Sequence, residues 1–243
     1  MINRVTDINN LSGVSSPLLP LIYGDFDFSV NDTDGAYIQY DTQGEMLCAF
    51  SLKNGSATVL KSGNVNVEEL EAFFGFLDVC DVISDFPFGF QNEKALPVLS
   101  LNNLSGKNTL TRILTSESTL NEYSEIYDLL NKDSDNFPQW YSVFSKKINN
   151  SKAVAAYKCV DGKAVSTAVA TAVYGENAVI SGVFTHREYR HKGFASECVL
   201  SVLNELNKLN TESAFLWCEN DKTDFYKKLG FSSAGQVYIR KEI

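Results

Sequence analysis

Short apolar runs broken by turn formers fill the first third of the chain. "GAYIQY", "EMLCAF" and "SATVLK" follow one another, separated by "DTQG" at 41–44 and "KNG" at 53–55. The pattern predicts three strands joined by tight turns. The period then changes. In "NVEELEAFFGFL" the apolar residues Leu70, Phe73, Phe74 and Leu77 recur at helical spacing, with Asn66 at the N-cap position and Glu68 and Glu69 in the first turn. A helix is expected there, and "DVCDVISD" reads as the strand after it. The order is strand, strand, strand, helix, strand. Prolines flank it. Pro17 and Pro20 in "SSPLLPLIY" argue against a helix, and Pro87 and Pro97 mark 86–108 as irregular. A boundary near 105–107 divides the chain into domains 1–105 and 106–243.

The second segment opens with "TLTRILT", a strand by composition. Leu120, Tyr123, Ile126, Tyr127 and Leu130 in "LNEYSEIYDLLNK" are spaced for an amphipathic helix. "NFPQWYSVFSKKINN" predicts a second helix, with Asn136 near its cap, Pro138 in its first turn, and Lys146 and Lys147 at its C-terminal end. Three strands follow: "AVAAYKCV" turns at Asp161-Gly162 into "KAVSTAVATAVY", which turns at Gly175 into "NAVISGVFT". A long helix comes next, its stripe carried by Ala195, Val199, Val202, Leu206 and Leu209. "SAFLWCEN" is a strand. "DKTDFYKKLG" is a short helix capped by Asn220 or Asp221 and ended by a left-handed Gly230, and "QVYIRKEI" is the last strand. Residues 152–218 thus repeat the order seen at 36–84.

Composition narrows the class. With 44% hydrophobic and 21% charged residues in 243, the chain is an ordinary globular one. Residues 1–23 lack the pattern of a signal peptide. The longest weakly polar run, 164–174, is far shorter than the ~20 residues a spanning helix needs. A soluble, cytoplasmic protein without a membrane partner is expected. Five cysteines, an odd and scattered set, argue for free thiols in a reducing compartment. His186 and His191 have no cysteine or carboxylate at ligand spacing, so no metal is expected. The net charge of −9 argues against nucleic acid as a partner. Its distribution is uneven. Residues 1–105 hold four basic and fourteen acidic residues, a net −10, and residues 106–243 hold seventeen and sixteen, a net +1.

The stretch "RHKGFAS" at 190–196 joins a β-branched strand to the long helix. A helix start presents unpaired N–H groups and the positive end of the macrodipole, a site for phosphate. Gly193 removes the Cβ that would hold an anion away. Arg190, His191 and Lys192 add charge or donors, and Ala195 and Ser196 keep the first turn slim. The pattern fits neither a Walker loop nor a dinucleotide fingerprint. A plain glycine-marked helix start with incidental basic residues is the alternative.

R-x-x-G-x-A after such a strand, in "GVFTHREYRHKGFAS", resembles the acyl-CoA pyrophosphate loop of the GNAT superfamily of N-acetyltransferases. "ENDKTDFYKKLGF" is similar to the family's second signature. The resemblance spans about 109–243. It implies a mixed, mostly antiparallel α/β (α+β) sheet flanked by helices, and acetyl-CoA as co-substrate. It implies backbone contacts from Val183 and Thr185 to pantetheine, and a diphosphate held at Arg190, His191, Lys192, Gly193, Phe194, Ala195 and Ser196. Asn220 would bond the pantetheine, unless it only caps a helix. Phe225 would lie under the coenzyme or in the core. Tyr226 would be the general acid for the departing thiolate, unless it is a core aromatic; a phenol of pKa ~10 suits that task. No general base is identified: Glu176, Glu219 and Ser181 each read better as structural residues, and His186 as a solvated loop residue.

The acidic segment has no basic residue between Lys61 and Val67. It reads as a degenerate copy of the same fold, giving two tandem GNAT-like domains, or as an unrelated α+β cap. In either case it is expected to wall the acceptor cleft and favour a cationic amine. The expected activity is acetyl transfer to a primary amine of a small molecule or peptide. The alternative is a non-catalytic acyl-CoA-binding or sensing module. Monomer and homodimer both remain open.

Overall fold

The computed structural model describes residues 1–29, 31–90, 92–106, 109–131 and 136–241. The boundary expected near 105–107 includes Lys107, which lies outside the described residues. So do Lys132, at the expected end of a helix, and Glu242 and Ile243, at the expected end of the last strand.

The chain forms two compact units. One comprises Met1–Leu99, Trp217–Asp224 and Ser233–Ile243, the other Ser100–Leu216 and Phe225–Ser232. In the first unit the strands are β1 (Ile2–Arg4), β2 (Gly35–Tyr40), β3 (Met46–Lys53), β4 (Ser56–Lys61) and β5 (Asp81–Ser84). Helix α1 (Leu19–Asp27) precedes β2, and α2 (Val67–Phe76) links β4 to β5. β1 to β4 run antiparallel in order, and β5 lies parallel to β4. The N-cap holds as expected, with Asn66 accepting the Glu69 N–H at 3.1 Å. α2 closes a core in which Tyr37 stacks on Phe50 at 5.2 Å and Phe74 meets Phe50 edge-on at 5.5 Å.

Two expectations for this region fail. Pro20 does not break a helix; it stands in the first turn of α1, where the missing N–H has no partner to lose. The stretch 86–108, expected to be irregular, contains β6 (Lys94–Asn102) with Pro97 inside it.

The second unit contains β7 (Arg112–Ile113), α3 (Leu120–Leu130), α4 (Phe137–Asn149), β8 (Val154–Val160), β9 (Lys163–Tyr174) and β10 (Asn177–Thr185). Then come α5 (Phe194–Lys208) and β11 (Ser213–Trp217). The strand order is β11-β10-β9-β8-β7, with β10 and β11 parallel and the other pairs antiparallel. Side chains alternate across this sheet. Ala155, Tyr157 and Val169 join Tyr123, Ile126 and Phe144 of α3 and α4 in one core. On the opposite face Val199, Val202 and Leu206 of α5 are fully buried, each worth roughly 1.5–3 kcal/mol. Leu209, expected in the same stripe, is 36% exposed because the helix has ended at Lys208.

α6 (Thr223–Lys227) and β12 (Ser232–Lys241) close the chain. Gly230 holds φ +98° after α6, the left-handed stop read from the sequence. β12 starts earlier than expected and pairs antiparallel with β5, which is why a C-terminal piece belongs to the first unit. Among the described residues no helix is long and apolar enough to cross a membrane. The run β2-β3-β4-α2-β5 has the same topology as β8-β9-β10-α5-β11: three antiparallel strands, a helix, and a strand parallel to the third.

Candidate functional site

Strand β10 leaves its neighbour partway along. Its ladder with β11 covers Asn177, Ala178 and Val179 and goes no further. On the β9 side the register shifts between Ser181 and Phe184. Gly182 sits in that bulge at φ +56°, and a Cβ there would lie 3.2 Å from the Leu130 side chain. Pairing with β9 then resumes through Phe184 and Thr185. His186 N–H donates to Val165 O at 2.8 Å. In an antiparallel ladder alternate residues face the partner, so Thr185 turns its backbone groups away from β9. Val183 is passed over by the ladder. Of the two residues expected to offer backbone groups, Thr185 therefore faces the side that β11 has vacated, and Val183 lies within the register shift.

The Thr185 carbonyl is already engaged, because Arg190 Nε donates to it at 3.1 Å. Arg190 thus ties the loop to the end of the strand. The chain next turns through two left-handed residues, His191 at φ +63° and Gly193 at φ +82°, with Lys192 between them. All three are exposed. A Cβ on Gly193 would meet nothing within 4 Å, so the space beside it is open. Gly193 is the N-cap of α5 and makes no side-chain cap. The first intrahelical bond runs from Glu197 N–H to Gly193 O at 3.0 Å. The N–H groups of Phe194, Ala195 and Ser196 therefore have no partner within the helix. Lys192 Nζ lies 4.9 Å from the Tyr189 ring, and that ring stacks toward Phe194 at 6.5 Å. The vacated edge of β10 and this turn suit an extended arm ending in a diphosphate.

Tyr226 is buried, edge-on to Phe225 at 4.8 Å and to Phe231 at 6.0 Å. The half-buried Phe225 is part of the same packing. Asn220 belongs to the other unit and is exposed. It does not cap a helix by its side chain. Glu219 is the N-cap of a 3-10 turn over Asn220–Lys222, and Thr223 Oγ1 donates to Asn220 O at 2.9 Å.

The residues weighed as bases are otherwise occupied or remote in character. Glu219 pairs with Lys94 at 2.6 Å, Ser181 Oγ bonds Thr171 Oγ1 at 3.2 Å, and Glu176 is exposed. His186 is not a solvated loop residue. It is half-buried against Tyr189, and its Nδ1 is shielded from solvent without a hydrogen-bond partner. Among the described residues no cluster of three or more His, Cys, Asp or Glu is arranged for a metal ion.

A layer beneath the loop was not anticipated. Lys158 of β8 pairs with Glu197 of α5 at 2.6 Å and lies 5.4 Å from the Phe194 ring. Ser166 of β9 bonds both Phe184 and Thr185. The signal available was the pair Ser166-Thr167 inside a largely apolar strand, since buried hydroxyls must find partners.

The family model described as the acetyltransferase (GNAT) family matches residues 117–231. No curated protein matches this sequence. Among solved structures, a GCN5-related N-acetyltransferase from Sphaerobacter thermophilus is 12% identical, with TM-score 0.60, over 95% of this chain and 96% of that one. One from Kribbella flavida is 13% identical, with TM-score 0.60, over 80% of this chain and 86% of that one. A tandem GNAT protein from the clavulanic acid biosynthesis pathway is 12% identical, with TM-score 0.58, over 96% and 91%. At such identities the structures speak for the fold alone, while the family model speaks for the sequence. Residues 117–231 carry a domain of the GNAT acetyltransferase family.

Proposed function

We propose that the chain transfers an acetyl group from acetyl-CoA to a primary amine. The observation that carries the reading is the coincidence of two features on consecutive elements. The vacated edge of β10 leads directly into a left-handed turn whose helix N–H groups lack intrahelical partners. In this reading Val183 and Thr185 meet the pantetheine, Thr185 through its N–H, and the turn at 191–196 meets the diphosphate. The amine nitrogen attacks the thioester carbon, an N–H group of the bulged strand stabilises the developing oxyanion, and the carbon–sulfur bond breaks. Tyr226 O–H gives its proton to the leaving thiolate and recovers one from the amine through solvent. Residues 1–105 are then a copy of the same fold without a coenzyme site.

A second reading, an acyl-CoA-binding module without turnover, is favoured by the engagement of Glu219 and Ser181 and the exposure of Glu176. Release of free thiol from acetyl-CoA across a panel of amines separates the two. Enzymatic transfer predicts amine-dependent release. Binding without release for any amine favours the module. Two variants locate the parts. Gly193→Glu places a carboxylate against the diphosphate, so calorimetric binding of acetyl-CoA should vanish in a folded protein. Tyr226→Phe should lower kcat by about 10²–10⁴-fold while the affinity for acetyl-CoA stays within a few-fold. An unchanged kcat would make Tyr226 a packing residue only.

A further inference from the structure

Ser166 is fully buried in β9 and meets three polar groups. Phe184 O lies at 2.9 Å, Thr185 Oγ1 at 2.8 Å and Cys198 Sγ at 3.8 Å. A serine hydroxyl has one proton and two lone pairs. The carbonyl can only accept, so Ser166 donates to Phe184 O. Its lone pairs then receive the Thr185 O–H and the Cys198 S–H. Burial pushes the Cys198 thiol up to about 12, so the sulfur keeps its proton and acts as the donor. Every hydrogen-bonding position on the hydroxyl is used.

The three partners belong to two different elements. Phe184 and Thr185 form the end of β10, beyond the bulge and beyond its last pair with β11. Cys198 stands one turn into α5, beside the Glu197 that pairs with Lys158. Lys158 is itself the cross-strand neighbour of Ser166. A strand end paired on one side only, next to a bulge, is the kind of segment that opens locally.

We propose that Ser166 is a positioning residue for the coenzyme, fixing the vacated edge of β10 and the first turns of α5 in a single geometry. It touches no reacting atom. It keeps the backbone groups for the pantetheine and those for the diphosphate at a constant separation, so neither must be ordered on binding. The proposal rests on the acetyl-CoA reading above.

The test compares Ser166→Ala with two variants at its partner, Thr185→Val and Thr185→Ser. Ser166→Ala removes a second hydrogen bond from the Phe184 carbonyl, which keeps its ladder bond to β9, and takes the Ser166 acceptor from the half-buried Thr185 hydroxyl. The Kd for acetyl-CoA should rise about 10-fold, with kcat at saturating acetyl-CoA within about two-fold. Amide exchange at 183–186 and 194–198 should quicken by a similar factor, with no coenzyme present. Thr185→Val keeps the shape without the hydroxyl and should weaken binding several-fold; Thr185→Ser keeps the hydroxyl and should bind as the wild type does. If Ser166→Ala does not fold, the Thr185 pair decides. A folded Ser166→Ala, or a Thr185→Val, with wild-type Kd and wild-type exchange overturns the proposal. A wild-type chain that binds no acetyl-CoA sinks the acetyl-CoA reading and this proposal with it. Wild-type binding with indifferent variants sinks the proposal alone.

Discussion

His191 holds φ +63°, a region where a Cβ crowds the following carbonyl and which His tolerates better than most residues. The exposed ring has no packing role that would compensate. What the turn requires of this position is the backbone conformation, so the side chain is dispensable. His191→Gly should therefore keep both stability and acetyl-CoA affinity. His191→Val, β-branched at positive φ, should lose roughly 1–2 kcal/mol, read from chemical denaturation. Equal stability of the two variants would mean that the turn is not held left-handed. Gly182 poses the reverse case, because its φ of +56° is combined with Leu130 at 3.2 Å from the Cβ position. Gly182→Ala should cost more than His191→Val, since strain and overpacking act together.

Helix α3 shows how one carboxylate serves two elements. Thr119 caps the helix, and Glu122 answers in a capping box, its Oε2 accepting the Thr119 N–H at 2.8 Å. Its other oxygen accepts the hydroxyl of the fully buried Tyr157 at 2.5 Å. These bonds, the Tyr157 one first, hold the Glu122 carboxyl below its ordinary value. A depressed folded value gives stability that is present in full above the ordinary ~4.3 and is lost as pH falls through the lower folded value. Glu122→Gln should therefore flatten the acid limb of the stability curve, measured by thermal melts from pH 7 downward. An acid limb identical to that of the wild type would mean the carboxylate is not linked to folding. Thr119→Ala, which removes the cap and the hydroxyl's bond to Glu122 Oε2 but leaves the Tyr157 bond, should cost about 1 kcal/mol at neutral pH.

Across the molecule, the shared topology of the two units invites the question of two coenzyme sites. The first unit has closed its own edge. β5 pairs with β4 along its whole length, Asp85 N–H donates to Val59 O at 3.3 Å, and Asp85 Oδ1 accepts the Lys61 N–H at 2.8 Å. Ser62 and Gly63 both donate to Leu47 O, and no basic residue follows before α2. Calorimetry should give one acetyl-CoA per chain; two equivalent sites would refute this reading of the first unit. The net −10 of residues 1–105 leads to an expectation about the acceptor. An acidic field concentrates cations, so a basic amine should be preferred. Its kcat/KM should drop with salt at saturating acetyl-CoA, because the screening length shrinks from about 10 Å at 0.1 M to 3 Å at 1 M. A neutral or anionic best acceptor, or indifference to salt, removes that role from the acidic segment.

Most strands and helices of the second unit, the left-handed Gly230, the Asn66 cap and the loop into α5 were legible in the sequence, although the strand expected over 109–115 is reduced to Arg112–Ile113. Each depends on neighbours a few residues apart, through periodicity, capping and turn chemistry. Proline was read too simply, since Pro20 and Pro97 are harmless where no donor is needed, and only the placed chain says where that is. Contacts between distant segments were beyond local pattern. Ser166 gains its meaning from Phe184, Thr185 and Cys198, eighteen or more positions away. The early end of the β10–β11 ladder, the register shift between β10 and β9, and the pairing of β12 with β5 are likewise tertiary facts. The sequence determined which segments would be strand, helix and glycine-marked turn, because those follow from local energetics. The tertiary structure decided which backbone groups remain open, because an N–H or a carbonyl is free only when no distant partner has taken it.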